Sequence, residues 1–143
     1  MRTRNILWPT DFSDTASHAL RYAIEMANLY NVGIRIVHVV DQPLGDENYM
    51  VLAITPEELA KTMEDAAAKQ MHELLAQLKT DLKIETVIRR GDAVTEILAE
   101  ANSDDIGMVV IASHGRTGLA HFLHDNVAEE VANKAKCPVL VVK

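Results

Sequence analysis

Five short apolar runs alternate along the chain with segments whose apolar residues recur at helical spacing. The runs lie at residues 5–8, 34–40, 84–88, 108–111 and 138–142. After the first run, apolar residues recur at positions 16, 19, 20, 23, 24 and 27, which places them on one face of a helix. Strands that alternate with helices in this way predict a parallel sheet with helices on both faces and right-handed crossovers.

Capping residues mark where several of the helices begin. Ser13 is a predicted cap for the first helix. Thr55 is a predicted N-cap for the second, with Pro56 at the first helical position and Glu58 at the third, which is typical of a capping box. This second helix is predicted to run to about residue 78. A third helix is predicted over residues 93–101, and a fourth opens near residue 126.

The pattern also indicates where a ligand would bind. In open parallel sheets, ligands bind beyond the carboxyl ends of the strands, where the strand order reverses. If the order is 3-2-1-4-5, residues 9–13 and residues 112–115 meet at that reversal. A small-residue turn and a later helix start both present backbone N–H groups without internal partners, and the helix dipole adds positive potential. We therefore expect a cradle for phosphate here.

Length and charge restrict the class of protein. The chain has 143 residues, which predicts a single domain over residues 1–143. Its net charge of −7 argues against general nucleic-acid binding. No apolar run approaches the roughly 20 residues that a membrane helix needs, and no targeting segment is visible. We expect a cytoplasmic protein with a long loop at residues 41–55, where no periodicity survives.

Candidate catalytic and metal chemistry is sparse. No Ser-His-Asp order, nucleophile elbow or P-loop is evident, so no catalytic residue is predicted. His121 and His124 lie three residues apart but have no third ligand at usable spacing, so no metal site is predicted. Cys137 is the single cysteine, which excludes an internal disulfide and a cysteine-based zinc site. Its position before Pro138, at a strand entrance, favours a small buried or inert thiol over a catalytic one.

Several segments, taken in order, resemble one known family. They read ILWPTDFS, IVHVVD, RRGDAVTEILAEA, VVIASHGRTGL and NVAEEVANKAKCPVLVVK. Together they are similar to a single-domain universal stress protein of the UspA type, and the resemblance spans nearly the whole chain. It implies a Rossmann-like five-stranded parallel sheet in the order 3-2-1-4-5, with helices on both faces, as in adenine nucleotide alpha hydrolase-like folds. It also implies a cytoplasmic stress-response role.

Family members that bind ATP resemble one another in a motif of Gly, two residues, Gly, nine residues, Gly, then Ser or Thr. This chain keeps the spacing with Ala112, Gly115, Asp125 and Asn126, so only the second glycine is retained. Asp125 places a carboxylate where a backbone N–H should face a phosphate. Two like charges about 4 Å apart near a surface repel by roughly 4 kcal/mol. That energy corresponds to about three decades of affinity.

The resemblance implies an adenine-nucleotide site whose phosphate motif is degraded. Asp11 matches a position near the adenosine, and Val39 matches the position whose backbone reads the adenine edge. The cofactors implied are ATP or AMP, with Mg2+ only if ATP binds. The candidate binding residues are Pro9, Thr10, Asp11, Val39, Ala112, His114, Gly115, Arg116, Asp125, Asn126 and Val127.

Structural alternatives stay open for these residues. Asp11 binds a ribose hydroxyl or caps the following helix. Gly115 contacts a phosphate or simply lets its turn adopt positive φ. His114 and Arg116 either reach a phosphate or lie in the loop and in solvent. Asn126 and Glu129 form a predicted capping box, beside which Asp125 would interact favourably with the helix dipole.

The last apolar run predicts a partner. Residues 138–142 come last and form a predicted sheet edge, which invites pairing with another chain. Family members resemble one another in dimerising through this strand, so we expect a homodimer through Pro138 to Val142, together with protein partners. Three functions compete: a stress-response module with a degraded nucleotide pocket, an enzyme that hydrolyses ATP slowly, and an interaction protein whose pocket stays empty.

Overall fold

A five-stranded parallel sheet forms the centre of the fold. The computed structural model of the chain describes residues 4–40, 55–113 and 126–143. Within these ranges no helix is both long and apolar enough to cross a membrane. The elements, in chain order, are β1 (Asn5–Pro9), α1 (Asp14–Tyr30), β2 (Ile34–Val40), α2 (Pro56–Gln77), β3 (Ile84–Arg90), α3 (Ala93–Ala101), β4 (Ile106–Ala112), α4 (Val127–Lys134) and β5 (Val139–Val142).

The strands lie in the order β3-β2-β1-β4-β5, and neighbouring strands are parallel throughout. The predicted order is therefore confirmed, and the reversal lies between β1 and β4. β4 begins earlier than the predicted residue 108, because the β1 ladder extends down to Ile106 through its pairing with Asn5. The predicted loop at residues 41–55 falls almost wholly outside the described residues.

The helix starts follow local capping chemistry. The Ser13 side chain accepts a hydrogen bond from the Ala16 N–H, so Ser13 is the N-cap of α1, as predicted. Both bonds of the capping box between Thr55 and Glu58 are present at α2, which confirms that prediction. Each cap satisfies N–H groups that would otherwise lack a partner at the helix start.

Helices cover the two faces of the sheet in pairs. On one face, the Trp8 indole N–H donates to the Ala16 carbonyl in α1 at 3.0 Å. Arg90 projects from the same face of the sheet and binds Glu57 and Glu64 of α2. On the other face lies α3, with α4 packed beside it and against β5. The arrangement confirms the prediction of helices on both faces.

The core lies between the sheet and these helices and is mostly aliphatic. Trp8 is fully buried and is the one aromatic side chain among the buried core residues of the described ranges. Because a parallel sheet is covered on both faces, its central strands are buried on both sides and read as continuous apolar runs. The largest fully buried side chains are Trp8, Ile6, Leu7, Ile34, Ile36, Ile97, Ile106, Ile111, Val37, Val109 and Val110.

A partly buried ionic cluster fixes α3 to the sheet. Glu100 of α3 accepts hydrogen bonds from Arg35 of β2 at 3.1 Å and from Arg89 of β3 at 2.8 Å. Arg35 also pairs with Asp105 and, at 3.7 Å, with Glu85. Burial alone would lower the pKa of Arg35, but the hydrogen bond and the charge of Asp105, with the other two carboxylates, raise it. The sequence pattern did not predict this cluster.

Candidate functional site

The carboxyl ends of β1 and β4 lie side by side at the point where the strand order reverses. Pro9 ends β1 in register with Val37 of β2, and Ala112 ends β4 in register with Val142 of β5. Both Pro9 and Ala112 are buried. The two loops predicted to meet at this edge therefore leave the sheet from adjacent strands.

The turn after β1 is held by its own side chains. The Thr10 N–H donates to the Val37 carbonyl at 2.9 Å, which carries the β1–β2 ladder one step beyond Pro9. The Thr10 hydroxyl accepts from the Phe12 N–H at 3.0 Å, and Thr10 is fully buried. Phe12 adopts φ 65°, a left-handed conformation that bulky residues rarely adopt. Such backbone outliers cluster at functional sites.

Asp11 is buried in the middle of this turn, with only 5% of its surface exposed. Its Oδ1 accepts a hydrogen bond from the Ser13 N–H at 2.9 Å. This is the local turn that aspartate favours before a helix, while Ser13 itself supplies the cap. Asp11 therefore shapes the entrance to α1 without being the capping residue.

The other oxygen of Asp11, Oδ2, is buried but accepts no hydrogen bond. Among the described residues, Asp11 Oδ2 is the one buried side-chain oxygen or nitrogen without a hydrogen-bond partner. Leaving a buried acceptor unsatisfied costs about 1–3 kcal/mol, and more when the group is charged. Nearly all buried polar atoms in folded proteins have partners, so this oxygen calls for an explanation. A hydroxyl donor supplied by a ligand would satisfy it.

Val39 presents its backbone to the same edge. Along β2, the Val37 carbonyl accepts from Thr10, whereas the Val40 carbonyl accepts from Gly91 on the β3 side. Because successive residues of a strand alternate the side to which their N–H and C=O groups point, the backbone groups of Val39 face the β1 side. Pro9 is the last residue of β1 in register with β2, so Val39 lies beyond the paired part of β1.

The start of α4 differs from the prediction. Asn126 makes no capping hydrogen bond through its side chain and has φ 77°, so the predicted capping box with Glu129 is wrong. A capping side chain requires an extended backbone at the N-cap, and the left-handed conformation turns the amide away from the helix start. The Asn126 carbonyl still accepts from the Glu130 N–H at 2.8 Å, and Val127 is buried behind it.

Four candidate residues, His114, Gly115, Arg116 and Asp125, lie outside the described residues, as do His121 and His124. In the described part of the chain, no group of three or more histidine, cysteine or acidic side chains is arranged to hold a metal ion. The structure thus places Pro9, Thr10, Asp11, Val39 and Ala112 along one sheet edge, and Asn126 and Val127 at the start of α4.

A further contact lies at this edge, which the sequence pattern did not predict. His38 is a polar residue of β2, and its Nδ1 lies 2.8 Å from the Thr10 carbonyl oxygen. Its ring also packs on Phe12, with 4.5 Å between ring centroids. A polar side chain in an otherwise apolar run next to the predicted switch point is the signal that could have identified it.

Fold and site together define an open α/β protein in which a buried aspartate oxygen without a hydrogen-bond partner lies where the strand order reverses. The model of the universal stress protein family matches residues 2–143, and the chain belongs to that family. Universal stress protein MJ0531 of Methanocaldococcus jannaschii is 32% identical, covering 98% of this chain and 82% of that protein. Universal stress protein MJ0577 of the same organism is 28% identical, covering 98% and 94%.

Solved structures share the fold. The universal stress protein UspA from Lactobacillus plantarum superposes with a TM-score of 0.77 at 22% identity, covering 100% of this chain and 99% of that one. A universal stress protein from Archaeoglobus fulgidus solved in complex with dAMP has a TM-score of 0.60 at 24% identity, covering 100% of both chains. A different universal stress protein, solved in complex with cAMP, has a TM-score of 0.62 at 22% identity, covering 100% of this chain and 99% of that one.

Proposed function

We propose that this protein is a non-catalytic stress-response module that binds an adenine nucleotide at the carboxyl edge of β1, β2 and β4. The observation that carries the proposal is Asp11 Oδ2, a buried oxygen with no partner at the switch point of the sheet. A ribose hydroxyl donating to this oxygen would remove the cost of its desolvation. Asp11 is thus the proposed ribose-binding residue.

The adenine is proposed to bind the backbone of Val39. The Val39 N–H and C=O groups face the β1 side, where the turn after Pro9 leaves the sheet. A donor and an acceptor on one residue can recognise the edge of a purine that carries both kinds of group. Backbone recognition of this kind needs no particular side chain, which is consistent with an apolar valine at the position.

The phosphate end is proposed to accept a short chain. The start of α4 at Asn126 and Val127 offers backbone N–H groups and the positive end of the helix dipole. Asp125 immediately precedes this start and would repel a long, highly charged phosphate chain. The dAMP and cAMP in the two solved relatives each carry a single phosphate. We therefore favour AMP over ATP, with Mg2+ needed only for ATP.

Titration calorimetry with AMP tests the proposal through Asp11→Asn. The variant keeps an oxygen that can accept from Ser13 but loses the charge that would receive the ribose hydroxyl. Hydrogen bonds to charged groups contribute about 1.5–3 kcal/mol, so affinity should fall by roughly 10- to 150-fold. Asp14→Asn, which makes the same charge change on an exposed residue three positions away, is the matched control and should bind like wild type.

Two results would count against this function. Absence of AMP binding by the wild-type protein would remove the proposed site altogether. Equal affinities for the Asp11→Asn variant, the Asp14→Asn variant and wild type would leave the unpartnered oxygen without a role in binding. The proposal also places the protein in the cytoplasm, as the family resemblance implies, and cell fractionation would check that part.

A homodimer through β5 completes the proposal. The Pro138 carbonyl accepts from Val109 of β4 and the Val142 carbonyl from Ser113 just after β4, so the backbone groups of Val139 and Val141 face away from the sheet. A second copy running antiparallel across a two-fold axis would satisfy them. Val141→Lys should give monomers in sedimentation, while Leu29→Lys, a change at an apolar side chain 72% exposed on α1, should leave the dimer intact. An unchanged dimer in Val141→Lys would refute this interface.

A further inference from the structure

His38 contacts both neighbours of Asp11 in the turn after β1. Its Nδ1 lies 2.8 Å from the Thr10 carbonyl oxygen, and because a carbonyl can only accept, this nitrogen carries the hydrogen. Its ring packs on the Phe12 ring at 4.5 Å between centroids, with 34° between the ring planes. Thr10 and Phe12 flank Asp11 directly, so one side chain of β2 braces the turn on both sides of the carboxylate.

This bracing matters because the turn is strained. A left-handed conformation is unfavourable for a residue with a Cβ, and Phe12 adopts it at φ 65°. Ring packing against His38 offsets part of that cost. Without His38, Phe12 can relax to negative φ, which rotates the adjoining peptide and moves the Asp11 carboxylate. The Ser13 N–H bond to Asp11 Oδ1 depends on the same backbone path.

We infer that His38 is a positioning residue for the nucleotide site, one that sets the Thr10–Asp11–Phe12 turn so that Asp11 Oδ2 meets the ribose hydroxyl. The inference rests on the proposed function for the ligand, and on the structure alone for the turn. His38 acts through Asp11 in this account and does not itself contact the nucleotide. A purely structural histidine would stabilise the fold without any specific connection to Asp11.

A double-mutant cycle with AMP as the probe separates the two roles. His38→Leu should lower AMP affinity about 10-fold when Asp11 is present, and should change it little in the Asp11→Asn background, because residues that act through one another are not additive. His38→Asn should recover part of the affinity, since its amide places an N–H near the position of Nδ1 but has no ring to pack on Phe12. Far-UV circular dichroism and melting temperature confirm that each variant is folded.

Amide hydrogen exchange of Ser13 gives a second readout without ligand. The Ser13 N–H is bonded to Asp11 Oδ1, so its exchange should be slow in wild type, faster in His38→Leu and intermediate in His38→Asn. Equal losses of AMP affinity in both Asp11 backgrounds, or unchanged Ser13 exchange in His38→Leu, would refute the positioning role. If wild type does not bind AMP, the proposed function fails, and the exchange measurement still decides whether His38 holds the turn.

Discussion

Replacing Glu100 with Gln should be strongly destabilising for a change of one heavy atom. Its side chain is 11% exposed and its two oxygens bind different arginines, Oε2 to Arg35 at 3.1 Å and Oε1 to Arg89 at 2.8 Å. Glutamine has one acceptor oxygen, so it can keep only one of these bonds. Its amide would then direct hydrogens at the other guanidinium, which has no acceptor.

The magnitude follows from what each arginine retains. In Glu100→Gln, Arg35 still pairs with Asp105 and Glu85, and Arg89 still pairs with Glu96, so neither arginine is left without a carboxylate partner. Losing one partner of a buried pair costs about 3–5 kcal/mol when the remaining charge is uncompensated. A single charge-assisted hydrogen bond contributes about 1.5–3 kcal/mol. We therefore expect the free energy of unfolding to fall by about 2–3 kcal/mol.

Urea unfolding followed by circular dichroism measures this loss. Glu85→Gln is the matched control, because Glu85 pairs with the same Arg35 at 3.7 Å through a side chain that is 40% exposed. Exposed pairs contribute about 0–1 kcal/mol, so this control should lose less than half as much stability. Similar losses in the two variants would refute the account, as would a Glu100→Gln loss that disappears in about 0.5 M salt.

Two further predictions concern the loops at the amino end of the sheet. Gly33→Ala should destabilise by about 1–3 kcal/mol in urea unfolding, because its Cβ would lie 2.6 Å from the Lys83 backbone oxygen; unchanged stability would contradict that packing. Asp105 has its pKa lowered by a hydrogen bond from Ser103 and by Arg35. The stability it contributes is present above about pH 4 and lost as pH falls through its folded-state pKa. The free energy of unfolding of Asp105→Asn should therefore fall less steeply with decreasing pH below pH 4 than that of wild type. The same pH dependence in both proteins would contradict this.

Local signals were enough to predict much of the fold. α3 was predicted over residues 93–101 and spans Ala93–Ala101, because Asp92 caps it through the Thr95 N–H at 3.0 Å. The strand order followed from alternating elements and a family resemblance, and is confirmed. Apolar runs, caps and turns act over a few residues, so the sequence displays them directly.

Long-range contacts and backbone conformation were not predictable in the same way. Arg35 binds Glu100 and Asp105, which lie 65 and 70 residues away in the sequence, so no local pattern predicts the cluster. The capping box at Asn126 was wrong because its residues fit but its backbone is left-handed. At the candidate site, Asp11 was predicted from resemblance, whereas the unpartnered oxygen and the brace from His38 depend on three-dimensional packing.

We propose that the site accepts an adenine nucleotide and that Asp125 disfavours a long phosphate chain. Calorimetric titration of wild type and Asp125→Gly with AMP and ATP, with and without Mg2+, tests it most directly. Wild type should bind AMP more tightly than ATP. Without Mg2+, Asp125→Gly should improve ATP affinity by about 10- to 1,000-fold, with AMP affected much less. Unchanged ATP affinity in Asp125→Gly, or wild type that prefers ATP without Mg2+, would contradict the account.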